Sequence, residues 1–121
     1  MSSQSARTAF TSTERRKRRH PRYRSEFPVT LTLLAEEEHR RLDGHCRDLS
    51  VAGIGILVAS ELNLGEVVSL AFSLQAQPWN VRAVLRYRRG YHYGLEFLSL
   101  SDQQSAELMA HLSGLERADS D

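Results

Sequence analysis

In the segment "WNVRAVLRYR", residues 79–88, apolar and basic side chains alternate: Trp79, Val81, Ala83, Leu85 and Tyr87 fall on one face and Arg82, Arg86 and Arg88 on the other. A period of two is the mark of a strand with one buried face, and it excludes a helix over the same residues. The pattern recurs along the chain. "FPVTLTLL" places Val29, Leu31 and Leu33 together, a second strand includes His45 to Leu49, and "IGILVAS", "GEVVSLAFSL" opened by Gly65 and "YHYGLEFLSL" complete a set of six. Between the first two, "AEEEHRRLDG" offers the Asp43-Gly44 pair as a turn, with the run of three glutamates as the other place for it. After the last strand the pattern changes: Ser101 is suited to cap a helix, Gln104 can reach back to it in a capping box, and Leu108, Leu112 and Leu115 form one apolar stripe. Six short strands and one closing helix predict a mainly β fold, a small six-stranded antiparallel barrel with the helix over an opening.

A chain of 121 residues with 40% hydrophobic content suits one domain with a single modest core, which excludes a large multidomain enzyme. The expected division is a disordered tail over 1–14, one domain over 15–115 that includes a flexible basic arm at 15–26, and a second disordered tail over 116–121. No apolar stretch approaches the roughly 18–20 residues of a membrane span, and "MSSQSARTAFTST" lacks a secretory h-region, so the expectation is a cytoplasmic chain with no membrane insertion. Cys46 stands alone, without a second thiol for a disulfide or a zinc cluster, and reads as a small buried residue with no metal bound.

The net charge of +1 hides an asymmetry. Residues 1–26 carry eight Lys/Arg against two acids, and residues 27–121 carry eight against thirteen, so an arm of +6 precedes a body of −5. Attraction for anions is thus confined to the arm, whose core is "RRKRRHPRYR" at residues 15–24. Within it Arg18 and Arg22 form an RxxxR spacing, and Pro21 biases the segment away from helix. Guanidinium is planar, permanently charged, able to fork onto phosphate or onto O6 and N7 of guanine, and able to stack on a base. A second motif, "DLSVAGIGI", sets Asp48, Ser50 and Gly53 in a DxSxxG pattern directly after a strand. Asp48 can accept from guanine N1 and N2, Ser50 can donate to a phosphate, and Gly53 permits close backbone approach or positive φ. Taken alone, each motif has a plain structural reading: a solvated basic linker for the first, an Asx or Ser turn for the second.

Together, RxxxR, DxSxxG, "VRAVLRYRRGYHYGLEF" and the closing helix resemble the PilZ domain family, receptors for cyclic di-GMP, over about residues 15–112. The resemblance implies a six-stranded barrel and a binding module without catalysis. It implies that Arg18 and Arg22 grip guanine and phosphate, that Arg19 assists, and that Asp48, Ser50 and Gly53 hold a guanine on the barrel surface. Arg15 and Arg19 share the same spacing, but "RRHPRYRSEFPV" places Arg22 a few residues before the first strand, as the family does. Lys17 precedes the motif where an arginine accompanies binding of a paired dinucleotide, and Arg16 is close enough to substitute, so one and two nucleotides per chain both stay open.

The implied function is a cyclic di-GMP receptor or adaptor, with no other cofactor, that alters the surface it shows to an unidentified protein partner. Ordering about six arm residues would cost on the order of 6–12 kcal/mol, so several charge-assisted bonds must form at once, which suits a clamp. Two alternatives stand beside it: a PilZ-like adaptor independent of nucleotide, whose members usually lack these arginines, and a small barrel binding nucleic acid through its arm. Nucleic acid is disfavoured by the acidic body; its stacking candidates would be Tyr87, Tyr91 and Tyr93, of which Tyr87 shares a face with core residues. His39, His45, His92 and His111 are scattered without a matched nucleophile motif, so no enzyme is expected.

Overall fold

The computed structural model describes residues 20–35, 37 and 39–117. Six strands, β1 (Tyr23–Leu33), β2 (Arg41–Leu49), β3 (Gly53–Val58), β4 (Val67–Leu74), β5 (Gln77–Arg89) and β6 (His92–Phe97), precede one helix, α1 (Asp102–Leu112). The strands close into a barrel in the order β1-β2-β3-β6-β5-β4, every pair antiparallel. Closure leaves no long free edge, so the alternating runs need no partner chain to satisfy their ladders. The inward positions are those that the period marks: Val29, Leu31 and Leu33 of β1, Ile54 and Ile56 of β3, and Trp79, Val81, Ala83 and Leu85 of β5 are all buried.

Helix α1 begins as the sequence predicts. Gln104 N–H donates to Ser101 Oγ and Ser101 N–H donates to Gln104 Oε1, each at 3.0 Å, which closes the capping box. Leu108 and Leu112 enter the barrel core and Leu115 packs beside it. Burying each of the two helical leucines contributes about 1.5–3 kcal/mol, enough to hold a helix of three turns that would be marginal alone.

Of the two places the sequence offers for the β1–β2 turn, the structure takes the one between Leu33 and Arg41, and Asp43-Gly44 sits inside β2, where Gly44 packs closely beneath Ile56 and Leu31. Two boundaries differ from the sequence expectation. Strand β1 starts at Tyr23, so the last four residues of the expected flexible arm are part of the barrel. The chain also continues in register after 115: Arg24 N–H donates to the Glu116 carbonyl at 2.9 Å, and Arg117 bridges Tyr23. Tyr23 packs against the core, and this two-sided support is what extends the strand toward the basic run. The tail expected over 1–14 lies outside the described residues.

Cys46 is fully buried and its thiol donates to the Asp48 carbonyl at 3.4 Å. Burial, reinforced by the Asp48 carboxylate, pushes the thiol well above its ordinary range. In the unfolded chain it ionises near pH 8.5, while the folded protein keeps it protonated, so unfolding at alkaline pH releases a proton. Its contribution to stability is therefore complete below about pH 8.5 and is lost at about 1.4 kcal/mol per pH unit above it. Cys46→Ala should be less stable than wild type at pH 7, by about 1–2 kcal/mol. Denaturant unfolding should show the gap closing by pH 10; a gap constant from pH 7 to 10 would contradict the assignment.

Candidate functional site

Two β-bulges decide which side chains reach the outer surface. In β2 the register against β3 shifts between Cys46 and Asp48, and in β5 the register against β6 shifts between Leu85 and Tyr87. A bulge adds one residue and reverses the phase of the alternation. Strict alternation from Cys46 and Leu85 would turn Asp48 and Tyr87 into the core; the extra residues, Arg47 and Arg86, turn both outward. Tyr87 is accordingly 40% exposed, and the placement of Tyr87 on the core face of β5 is corrected. A third shift, in β1 between Arg24 and Phe27, lies beside them.

The bulges align a lateral row across five strands. Arg24 pairs with Asp48, Asp48 with Gly55, Gly55 with Gly94, and Gly94 with Tyr87. The Asp48 carboxylate lies over Gly55 and the Tyr87 ring lies over Gly94, and a methyl group on either glycine would collide with them. Arg22, from the residues just before β1, spans the two: Nη1 donates to Asp48 Oδ1 at 3.0 Å and Nη2 donates to the Tyr87 hydroxyl at 3.1 Å. His92 Nε2 lies 3.7 Å from the other carboxylate oxygen. Alongside is a surface cavity of about 270 Å³ lined by Arg24, Glu26, Arg47, Asp48 and His92. Arg22 is thus the guanidinium in contact with Asp48, while Arg24 and Arg47 line the adjoining cavity together with Glu26, whose carboxylate lies 3.8 Å from Arg47 Nε; a cavity with both cationic and anionic groups suits a ligand that carries hydrogen-bond donors as well as negative charge.

The DxSxxG residues divide into two roles. Asp48 faces outward with its side chain 17% exposed. Ser50 is buried, and its hydroxyl accepts from Ala52 N–H and Gly53 N–H at 3.1 Å each, which fixes the β2–β3 turn. Gly53 is needed for space: a Cβ there would stand 2.2 Å from the Leu95 carbonyl oxygen of β6. Its backbone does not take positive φ.

Of the arginines singled out from the sequence, Arg22 meets the DxSxxG segment; Arg15, Arg16, Lys17, Arg18 and Arg19 lie outside the described residues. Tyr93 is fully buried, its hydroxyl donating to the Ser60 carbonyl at 2.8 Å, and is no stacking platform, while Tyr91 is exposed. Sequence reasoning missed His92 and Arg24 as neighbours of Asp48; both follow only from cross-strand register. Among the described residues no helix is long and apolar enough to cross a membrane.

The six-stranded barrel with its closing helix is the fold of a known class of small domains. The sequence matches the PilZ domain over residues 16–114, and the chain belongs to that family. The fold is similar to the PilZ domain of YcgR from Escherichia coli, solved with c-di-GMP, at a TM-score of 0.65 and 18% identity, covering 82% of this chain and 91% of that one. It is also similar to the PilZ domain of CeSA from a cellulose-synthesizing bacterium, at a TM-score of 0.61 and 16% identity, covering 77% and 95%. The Bacillus subtilis inhibitor of motility, MotI/DgrA, matches at a TM-score of 0.63 and 17% identity over 80% of this chain and 49% of its own. No curated protein sequence matches.

The geometry separates two substitutions in the turn. Ser50→Ala removes the acceptor of one buried and one half-buried N–H and should cost about 1–3 kcal/mol, whereas Gly53→Ala forces β3 from β6 and should cost more, on the order of 3 kcal/mol or above. Thermal melts that rank them in the reverse order would refute the steric role of Gly53.

Proposed function

We propose that the protein is a cyclic di-GMP receptor in which the RxxxR arm clamps the nucleotide onto the outer row beside the DxSxxG turn. The observation that carries this reading is the contact of Arg22 with Asp48: two motifs 26 residues apart meet, and a guanidinium and a carboxylate stand side by side where a guanine needs both. Asp48 accepts from N1 and N2 of the base; Arg22 meets O6, N7 or a phosphate oxygen. Arg18, with Arg19 as helper and Arg16 or Lys17 at the margin, closes from the preceding segment. Membership of the family and the c-di-GMP held by the similar YcgR domain support the ligand.

Binding is the whole activity in this reading, with no catalytic step and no further cofactor. Tyr23 and Arg24 already belong to β1, so ligand has no need to order them and the entropic cost reckoned for the full arm falls accordingly. Micromolar affinity requires about −8 kcal/mol, within reach of several charge-assisted bonds plus stacking. The output is a changed surface over residues 16–24 offered to a protein partner in the cytoplasm.

Calorimetric titration with cyclic di-GMP, using GTP and linear pGpG as controls, tests the ligand and its stoichiometry together. Arg22→Ala should weaken binding at least tenfold with a melting temperature within a few degrees of wild type, since the residue lies outside the core. Asp48→Asn, which retains one acceptor oxygen, should bind more tightly than Asp48→Ala. Wild-type affinity in Arg22→Ala, or equal binding of GTP and cyclic di-GMP, would rule the reading out.

A further inference from the structure

The contact of Arg22 with Tyr87 belongs to neither motif. Tyr87 approaches from the far side of the row, three inter-strand steps or about 14 Å from the β2 backbone that bears Asp48. It can meet the same guanidinium for two reasons. The bulge at Arg86 turns the ring outward, and Gly94 lets it lie flat against the barrel: a Cβ at 94 would fall 2.1 Å from Tyr87 Cε2 and 2.2 Å from Cζ. Asp48 makes the same approach from the opposite side, over Gly55, where a Cβ would fall 2.8 Å from either carboxylate oxygen. Two adjacent glycines thus form a recess, one residue deep and two strands wide, with an anionic jaw and a phenolic jaw.

Arg22 is held between the jaws by both terminal nitrogens, and its side chain is only 14% exposed. A guanidinium fixed at two points has its plane fixed. Among the described residues two of its five N–H groups are engaged, by Asp48 and Tyr87, and the other carboxylate oxygen, Asp48 Oδ2, lies 3.7 Å from His92 Nε2. An arginine free to swing would lose rotamer entropy on every binding event; one already oriented loses less.

We propose that Tyr87 is a positioning residue for the nucleotide site, orienting Arg22 through its hydroxyl from a recess created by Gly94. The proposal rests on the reading of Arg22 and Asp48 as ligand-binding groups, but its first test is independent of ligand. Holding from both sides restricts rotation of the guanidinium, so NMR of the free protein should give separate Arg22 Nη signals that merge in Tyr87→Phe. The ring and its packing persist in that variant, and its melting temperature should be that of wild type within a degree or two.

For cyclic di-GMP, Tyr87→Phe should bind about three- to tenfold more weakly, the loss expected for one ordinary net hydrogen bond, since the bond acts through Arg22 and does not touch the ligand. In an Arg22→Ala background the same change should have no effect, an interaction that a purely structural tyrosine would not produce. Gly94→Ala should reproduce the loss in a chain that carries Tyr87 and add little in Tyr87→Ala. Averaged Arg22 signals in the wild-type protein, or equal affinity of wild type and Tyr87→Phe, would overturn the proposal. Failure of the wild-type protein to bind cyclic di-GMP would overturn the ligand reading instead, with the NMR result still deciding whether Tyr87 orients Arg22.

Discussion

A closed antiparallel barrel allows each strand one inward face, and a side chain can change sides only if a residue is added or removed between ladder partners. The site of this protein depends on that constraint. Asp48 and Tyr87 would both be core residues by strict alternation, and neither a carboxylate nor a phenol hydroxyl without a partner is tolerated there. One extra residue in each strand moves them outside, onto the same row, without opening the barrel. The extra residues, Arg47 and Arg86, are both exposed to water.

The same row explains why the two halves of DxSxxG behave differently. Asp48 precedes the turn and is still on a strand, so its direction is set by register. Ser50 and Gly53 lie in the turn and at the head of β3, where backbone donors must be satisfied and where β6 passes within contact distance. The conformation of the turn and the direction of the acid are thus separate requirements met by one short segment. Cys46, buried just ahead of the bulge and donating to the Asp48 carbonyl, helps fix the point at which the phase changes.

Much of the fold was legible because its signals are local. The period of two pointed to all six strands, though not to the starts of β1 and β2, and Ser101 and Gln104 located the helix start to the residue. Turns were less legible: Asp43-Gly44 looked like a hairpin turn and is strand, whereas the β4–β5 hairpin reverses at Gln75 and Ala76, both at positive φ without glycine or asparagine. Sheet register over-rode propensity at both places. At the site, the acid and the arginine were readable from spacing, but Tyr87 was assigned to the wrong face because a bulge leaves the sequence period intact on either side of it. His92 and Arg24 depend on which strands are neighbours. Strand order β3-β6-β5 is not visible in a single sequence.

The pairing of Arg24 and Tyr23 with Glu116 and Arg117 brings the two extremities of the folded domain to one point, next to Arg22. Chain entering the barrel and chain leaving it are joined by short ladder contacts rather than anchored at opposite poles. Tension applied across the domain would therefore load those few bonds in a zipper geometry, one after another, before it reached the barrel ladders. The first structure to yield would be the start of β1, which connects the cluster of Arg22, Asp48 and Tyr87 mechanically to the two ends of the described chain.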